Sequence, residues 1–276
     1  MKIALLLTGQ LRTNKLCRHL IKNILIDKYD TDIFMAIDAN NMLQCEHKNS
    51  KNTTNQTDIS DAITFFNPIN HFISYDYTDE FNNILLKFDR ANIGKYTNPL
   101  FLKIICQQYY IVDKAYKMLQ THIDTTGAKY DLIIRLRFDQ YIWSDSISDM
   151  LTKLIRIPNT NNIIYNNENI ELIKAITKDL TIELDTDIPN QVNVFGYGPF
   201  HNYYYVNDQF FTHGQHLIST VSKFYEEMVP IINKCAITTY PNNGACIEYF
   251  WYIFLTNHNI TIAKTKNNGI FVREFY

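Results

Sequence analysis

The decapeptide Tyr130-Asp131-Leu132-Ile133-Ile134-Arg135-Leu136-Arg137-Phe138-Asp139 constrains the fold of this chain more than any other segment. Its first half is a short apolar run of the kind that forms a buried strand. Its end carries charge at alternate positions. Side chains of a strand alternate between faces, so Arg135, Arg137 and Asp139 point the same way. Two cations and a carboxylate leaving a buried strand are costly without charged partners. A diphosphate and a metal ion would serve: a carboxylate at a strand end can ligate Mg²⁺ or Mn²⁺, and arginines grip phosphate through paired N–H groups. The competing reading is a structural Arg–Asp network at a sheet edge. Three charges at one strand end favour the ligand. In open α/β sheets, ligands bind beyond the carboxyl ends of the strands, where these residues would lie.

The rest of the first half fits such a sheet. Residues 2–8 and 32–38 read as apolar strands, 14–27 as a helix carrying Leu16, Leu20, Ile24 and Ile26, and 39–57 as a polar loop. A short helix near 58–66 precedes a strand at 70–75. The segment 97–122 is the clearest helix, with Phe101, Ile104, Ile105, Val112, Ala115 and Leu119 on one face. Strand alternating with helix predicts an α/β fold with a mostly parallel, Rossmann-like sheet flanked by helices. The second half is less regular. It predicts a helix near 145–154, an ambiguous Asn-rich stretch over 158–190, extended chain over 191–206, helices over 208–227 and 244–257, and extended tails at 260–263 and 270–275. There is no internal repeat and no Pro/Gly-rich linker. One domain spanning 1–276 is expected, with a nucleotide-binding half (1–143) and an acceptor-binding half (144–276).

Composition narrows the classes. The chain has 276 residues, 20% of them charged, with a net charge of −2, which argues against a general electrostatic grip on nucleic acid. No apolar segment approaches the ~20 residues needed to span a bilayer. The brief apolar start Met1–Leu7 reads better as a first core strand than as a signal sequence, because the apolar run is short and Thr8-Gly9-Gln10-Leu11-Arg12 follows at once. Five widely separated cysteines without CxxC spacing fit a reducing, cytoplasmic compartment. Walker A, GxSxG, HExxH and kinase signatures are missing from the sequence.

Three further segments are candidate sites. In Thr8-Gly9-Gln10-Leu11-Arg12, glycine would let backbone amides approach a ligand and Arg12 could meet a phosphate; an ordinary strand-to-helix turn would look the same. Asn207 and Asp208 could cap a following helix, whose N-terminus is also an anion pocket. His213 and His216 form an H-x-x-H pair without a third ligand and read as ordinary histidines. Glu248 opens an apolar helix after Pro241-Asn242-Asn243-Gly244, as a general base or acceptor-binding carboxylate, or as a helix-end acid. Gly196-Tyr197-Gly198 reads as a turn.

Leu5–Arg12 and Tyr130–Asp139, with Asn207–Phe211 and Glu248–Trp251 more loosely, resemble glycosyltransferase-like proteins of bacterial polysaccharide loci and giant DNA viruses of algae and amoebae. The resemblance covers most of the chain. It implies a GT-A fold, a nucleotide-diphosphate sugar donor, a divalent metal (Mn²⁺ or Mg²⁺) and a glycan or glycoprotein acceptor. A viral member would act in the host cytoplasm. Such enzymes carry Asp-x-Asp at the end of a core strand; here the stretch is Arg137-Phe138-Asp139, with arginine in the place of the first acid. The resemblance implies that Thr8, Gly9, Gln10, Arg12 and Asp38 bind the nucleotide, that Arg135 and Arg137 face the diphosphate, and that Asp139 holds the metal, or the ribose without one. Glu248 or Asp208 would be the base of an inverting member. A nucleotidyltransferase and a non-catalytic sugar- or nucleotide-binding protein are the rival readings.

Overall fold

The computed structural model describes residues 1–12, 14–40, 54–88, 99–144, 182, 184, 188–194, 197–200, 203–206, 210–235, 247–265 and 267–271. Its centre is β1 (Lys2–Gly9), an apolar strand whose interior residues are all buried. Helix α1 (Asn14–Ile21) and a π-helical turn (Lys22–Ile26) lead to β2 (Asp30–Asp38). Helix α2 (Gln56–Phe66) follows. Its N-cap Asn55 accepts from the Asp58 amide at 2.8 Å, and Asn67 closes it in a left-handed conformation. Then come β3 (Asn70–Ser74), α3 (Thr78–Leu85) and the long α4 (Pro99–Thr126). Gly127, at φ +69°, donates to the Ile123 carbonyl at 2.8 Å and stops α4, turning the chain into β4 (Leu132–Arg137).

The second half supplies β5 (Gln140–Ser144), β6 (Gln191–Val194), the hairpin β7 (Tyr197–Phe200) and β8 (Tyr203–Val206), and β9 (Phe210–His213). A 3₁₀ turn, α5 (Ile218–Val221), α6 (Phe224–Cys235), α7 (Ile247–Asn257), β10 (Thr261–Lys264) and β11 (Asn267–Phe271) complete the described elements. Among the described residues the main sheet has seven strands in the order β10-β6-β9-β4-β1-β2-β3. The run β4-β1-β2-β3 is parallel and β10 is parallel to β6, whereas β9 runs antiparallel to both of its neighbours, β4 and β6. Outside this sheet, β5 pairs with β11 in a separate two-stranded antiparallel ribbon. The fold is therefore α/β, with a mostly parallel mixed sheet between two helical layers.

Alternation along the strands builds both layers. Ala4, Leu6, Phe34, Ala36 and Ile133 point to the face covered by α4, α6 and α7. Ile3, Leu5, Leu7, Met35, Ile37, Ile134 and Leu136 point to the face covered by α1 and α2. The α4-side layer holds an aromatic cluster in which Phe224 stacks on Trp251 with centroids 3.7 Å apart.

Three sequence expectations change. Helix over 208–227 is wrong at its start: Phe210–His213 is a strand inserted between β4 and β6, and every one of its residues is buried, so packing on both faces overrides the helical pattern. Tyr197 belongs to a hairpin strand rather than to a turn around Gly196 and Gly198. Helix α3 occupies a stretch for which the sequence pattern predicts no element. The expected helix at 145–154, and most of 158–190, lie outside the described residues.

Candidate functional site

Strand order reverses at β1: β2 and β3 extend to one side of it and β4 lies on the other. The carboxyl ends of β1 and β4 thus flank the topological switch point, where open α/β sheets bind their ligands. Thr8 and Arg137 are register partners there, and Asp38 ends the next strand, β2.

The turn after β1 is shaped by two residues with positive φ. Gly9 sits at +106°, which favours glycine, and Arg12 at +28°, which is costly for a residue with a Cβ. This turn carries Gln10 and Arg12 over the strand ends. The Arg12 Nε–H donates to Gln10 Oε1 at 2.9 Å, and Gln10 Nε2 donates to Asp38 Oδ2 at 3.2 Å. On the other side the Arg12 guanidinium lies 3.5 Å from Asp139 Oδ2. Arg137 grips the same carboxylate through both oxygens, Nε to Oδ1 at 2.9 Å and Nη2 to Oδ2 at 3.0 Å. Asp38, Gln10, Arg12, Asp139 and Arg137 form one continuous polar chain across three strand ends.

The members differ in exposure. The Asp139 side chain is 0% exposed, Arg137 13% and Arg12 27%. The two arginines therefore reach solvent over a carboxylate that does not. Arg135 lies deeper than expected. It is 2% exposed and its Nε donates to Thr8 Oγ1 at 3.2 Å, so it sits beneath the strand ends rather than at their rim. Asp38 is anchored by the Asn40 amide at 3.0 Å and by the Gln107 side-chain amide. Burial pushes its carboxyl above the usual range, opposed by hydrogen bonds from Asn40, Gln10 and Gln107 and by the Arg12 charge.

Asp139 as a metal ligand does not fit this arrangement. Both carboxylate oxygens already accept from Arg137, and a second guanidinium stands beside them, so a divalent ion would face two fixed cations. Among the described residues no three His, Cys, Asp or Glu side chains come together as a metal-holding group. Three guanidiniums against the carboxylates of Asp38 and Asp139 leave an excess of positive charge, which suits an anion.

Gln107 was missed by sequence reading. It projects from α4 onto Asp38 and is 1% exposed. In Gln107-Gln108 nothing distinguishes the inward residue until the helix phase is known. His213 is a core residue: its Nε2 pairs with the Tyr116 hydroxyl at 2.9 Å, and its Nδ1 with the Gly214 carbonyl at 2.8 Å. Glu248 lies at the start of α7, which packs against β8, and Asp208 lies outside the described residues. No family model matches the chain, and no curated protein matches it. Among the described residues no helix is long and apolar enough to cross a membrane.

Proposed function

We propose that this protein is a GT-A-type glycosyltransferase that moves a sugar from a nucleotide-diphosphate donor to a glycan or glycoprotein acceptor. The observation that carries the reading is the polar chain Asp38–Gln10–Arg12–Asp139–Arg137, built across the switch point of a mostly parallel sheet. Its outer groups are guanidiniums, which match diphosphate oxygens in charge and geometry.

In the reaction the bond between the sugar C1 and the β-phosphate oxygen breaks, and C1 bonds to an acceptor hydroxyl oxygen. Negative charge grows on the departing diphosphate. Arg12 and Arg137 would stabilise that charge, the contribution for which other transferases use a metal. Asp139 would hold the two guanidiniums at fixed spacing, so they meet the leaving group without reorganising. Arg135 and Thr8 would support the strand ends from below. Glu248 and Asp208 are the proposed acceptors of the acceptor hydroxyl's proton.

Calorimetry with inorganic pyrophosphate, UDP and GDP, with and without Mn²⁺, tests the binding part. Chromatographic detection of free nucleoside diphosphate from nucleotide-sugars tests the transfer part. Micromolar binding that survives EDTA is the expected result. No binding of any diphosphate by the folded protein would overturn the reading.

A further inference from the structure

Arg12 is the more exposed of the two guanidiniums at the rim, and its backbone holds a positive φ, +28°. A residue stays in such a conformation only where its surroundings fix it. One tether is Asp139, 3.5 Å away. The other leads away from the rim, toward β2. Arg12 Nε donates to Gln10 Oε1 at 2.9 Å, and Gln10 Nε2 donates to Asp38 Oδ2 at 3.2 Å. Gln107 reaches down from α4 and donates through Nε2 to Asp38 Oδ1, which also accepts from the Asn40 amide at 3.0 Å.

This row of hydrogen bonds can run in one direction only. A guanidinium donates and a carboxylate accepts, so the amide between them must turn its oxygen to Arg12 and its nitrogen to Asp38. At the far end, Asp38 Oδ1 faces two donors, so an N–H cannot take the place of that oxygen. The way Gln10 faces is therefore set from the β2 end. Were Gln10 turned over, its N–H groups would stand against the Arg12 Nε–H, and Arg12 would lose this acceptor.

We infer that Asp38 and Gln107 are positioning residues for Arg12. They act through Gln10, whose amide they orient, and so hold the guanidinium at the rim where an anion would meet it. That the anion is a diphosphate rests on the reading above; the orientation of Arg12 does not.

The sign of the effect separates this relay from simple electrostatics. Asp38→Asn removes a negative charge beside an anion site, which by itself strengthens anion binding. The relay demands the reverse. Oδ1 must keep accepting from Asn40 and Gln107, so the asparagine turns its N–H groups toward Gln10. Gln10 then turns over, and Arg12 loses its acceptor. Adding Gln10→Glu supplies oxygens to the asparagine and to Arg12 alike. Charge alone would make that second change a further loss, because it sets a carboxylate nearer the rim; the relay makes it a recovery.

Two measurements on the full chain test this. Hydrogen exchange of the Arg12 Nε–H, followed by NMR and assigned with Arg12→Lys, needs no ligand. Calorimetry with inorganic pyrophosphate reads the anion site. Asp38→Asn should speed the exchange and weaken pyrophosphate, each about tenfold, the scale of one hydrogen bond to a charged group. Asp38→Asn with Gln10→Glu should restore most of both. Gln107→Leu, which releases Asp38 from α4, should act in the same direction as Asp38→Asn. Parental exchange in Asp38→Asn would overturn the inference. So would faster exchange that Gln10→Glu does not reverse, since Asp38 would then support the strand end as a whole. Parental exchange in Gln107→Leu would overturn it for Gln107. Where Asp38→Asn alone does not fold, the double variant should, and failure of both to fold would likewise overturn it. A parent that binds no pyrophosphate removes the diphosphate reading instead, and the exchange measurement still decides the positioning.

Discussion

Replacing Asp139 by asparagine keeps its shape and removes its charge, and the structure gives the cost. The carboxylate is wholly buried and takes two hydrogen bonds from Arg137, at 2.9 and 3.0 Å, with Arg12 at 3.5 Å. Asparagine can accept from one guanidinium nitrogen and turns an N–H toward the other. Breaking a fully buried pair costs about 3–5 kcal/mol. Arg137 and Arg12 are partly exposed, so water recovers part of that, and we expect about 2–3 kcal/mol. At ~2–4 °C per kcal/mol for a chain of this size, the melting temperature should fall by roughly 5–10 °C. Urea unfolding of the parent, Asp139→Asn, Arg137→Gln and the double variant measures both the loss and the coupling. Coupling should reach ~1.5 kcal/mol or more, since the two side chains share the interaction. If Asp139→Asn unfolds within ~0.5 kcal/mol of the parent, with no coupling to Arg137, the guanidiniums do not hold this carboxylate in solution. Asp139 would then be available to a metal, and the reading of the site as a metal-free anion clamp would be wrong.

Three other outcomes are expected. Arg137→Lys keeps the charge and loses the fork, so pyrophosphate affinity measured by calorimetry should drop about tenfold; parental affinity would remove the bidentate contact. His213 is buried and its imidazole is pushed down to about 4, so the unfolded chain takes up a proton near pH 6.5 and the folded chain only near 4. Its contribution is complete above pH 6.5 and is lost as the pH falls toward 4, by roughly 3 kcal/mol, and His213→Gln should flatten that part of a denaturation-versus-pH curve. For catalysis, Glu248→Gln and Asp208→Asn should both retain diphosphate binding, and the one that is the base should lose ~10²–10⁴-fold in turnover by release of nucleoside diphosphate. Full turnover in both variants would show that neither carboxylate is the base.

The central strands were legible because their signal is local. Apolar runs bounded by turns place β1, β2 and β4 within two residues of their observed limits, and strand parity puts Arg135 and Arg137 on one face, whereas Asp139 lies in the turn beyond β4 rather than on the strand. What the sequence hid is information about neighbours. Phe210–His213 looks helical in isolation, and it becomes a strand because β4 and β6 offer it hydrogen bonds on both edges. Gln107 is one of a pair of glutamines on an apolar helix, and only the packing phase turns it toward Asp38. Asp139 reads as a ligand for a cation until the positive-φ turn at Arg12 brings a second guanidinium to it, a contact across 127 positions of chain. Charge type was readable from composition at the strand end; the identity of the charge facing it was not.

Four strands change from apolar to polar together at this end of the sheet. On the α4 face, β1 runs Ala4, Leu6 and then Thr8, and β2 runs Phe34, Ala36 and then Asp38. On β3, Phe72 is followed by Ser74, and on β4, Ile133 is followed by Arg135 and Arg137. Each strand alone could end in a polar residue because it meets solvent. That explanation fails here, because Thr8, Ser74 and Arg135 are buried together with Gln107 from the covering helix. Burying a row of polar groups costs stability that an apolar row would not, and the core below shows that this sheet packs apolar residues at the equivalent positions. The positive φ at Arg12 adds a further backbone cost at the same place. A fold selected only for stability would remove each of these costs by single substitutions. Their concentration at the switch point, with the partly exposed guanidiniums of Arg12 and Arg137 at its rim, supports the proposed anion site.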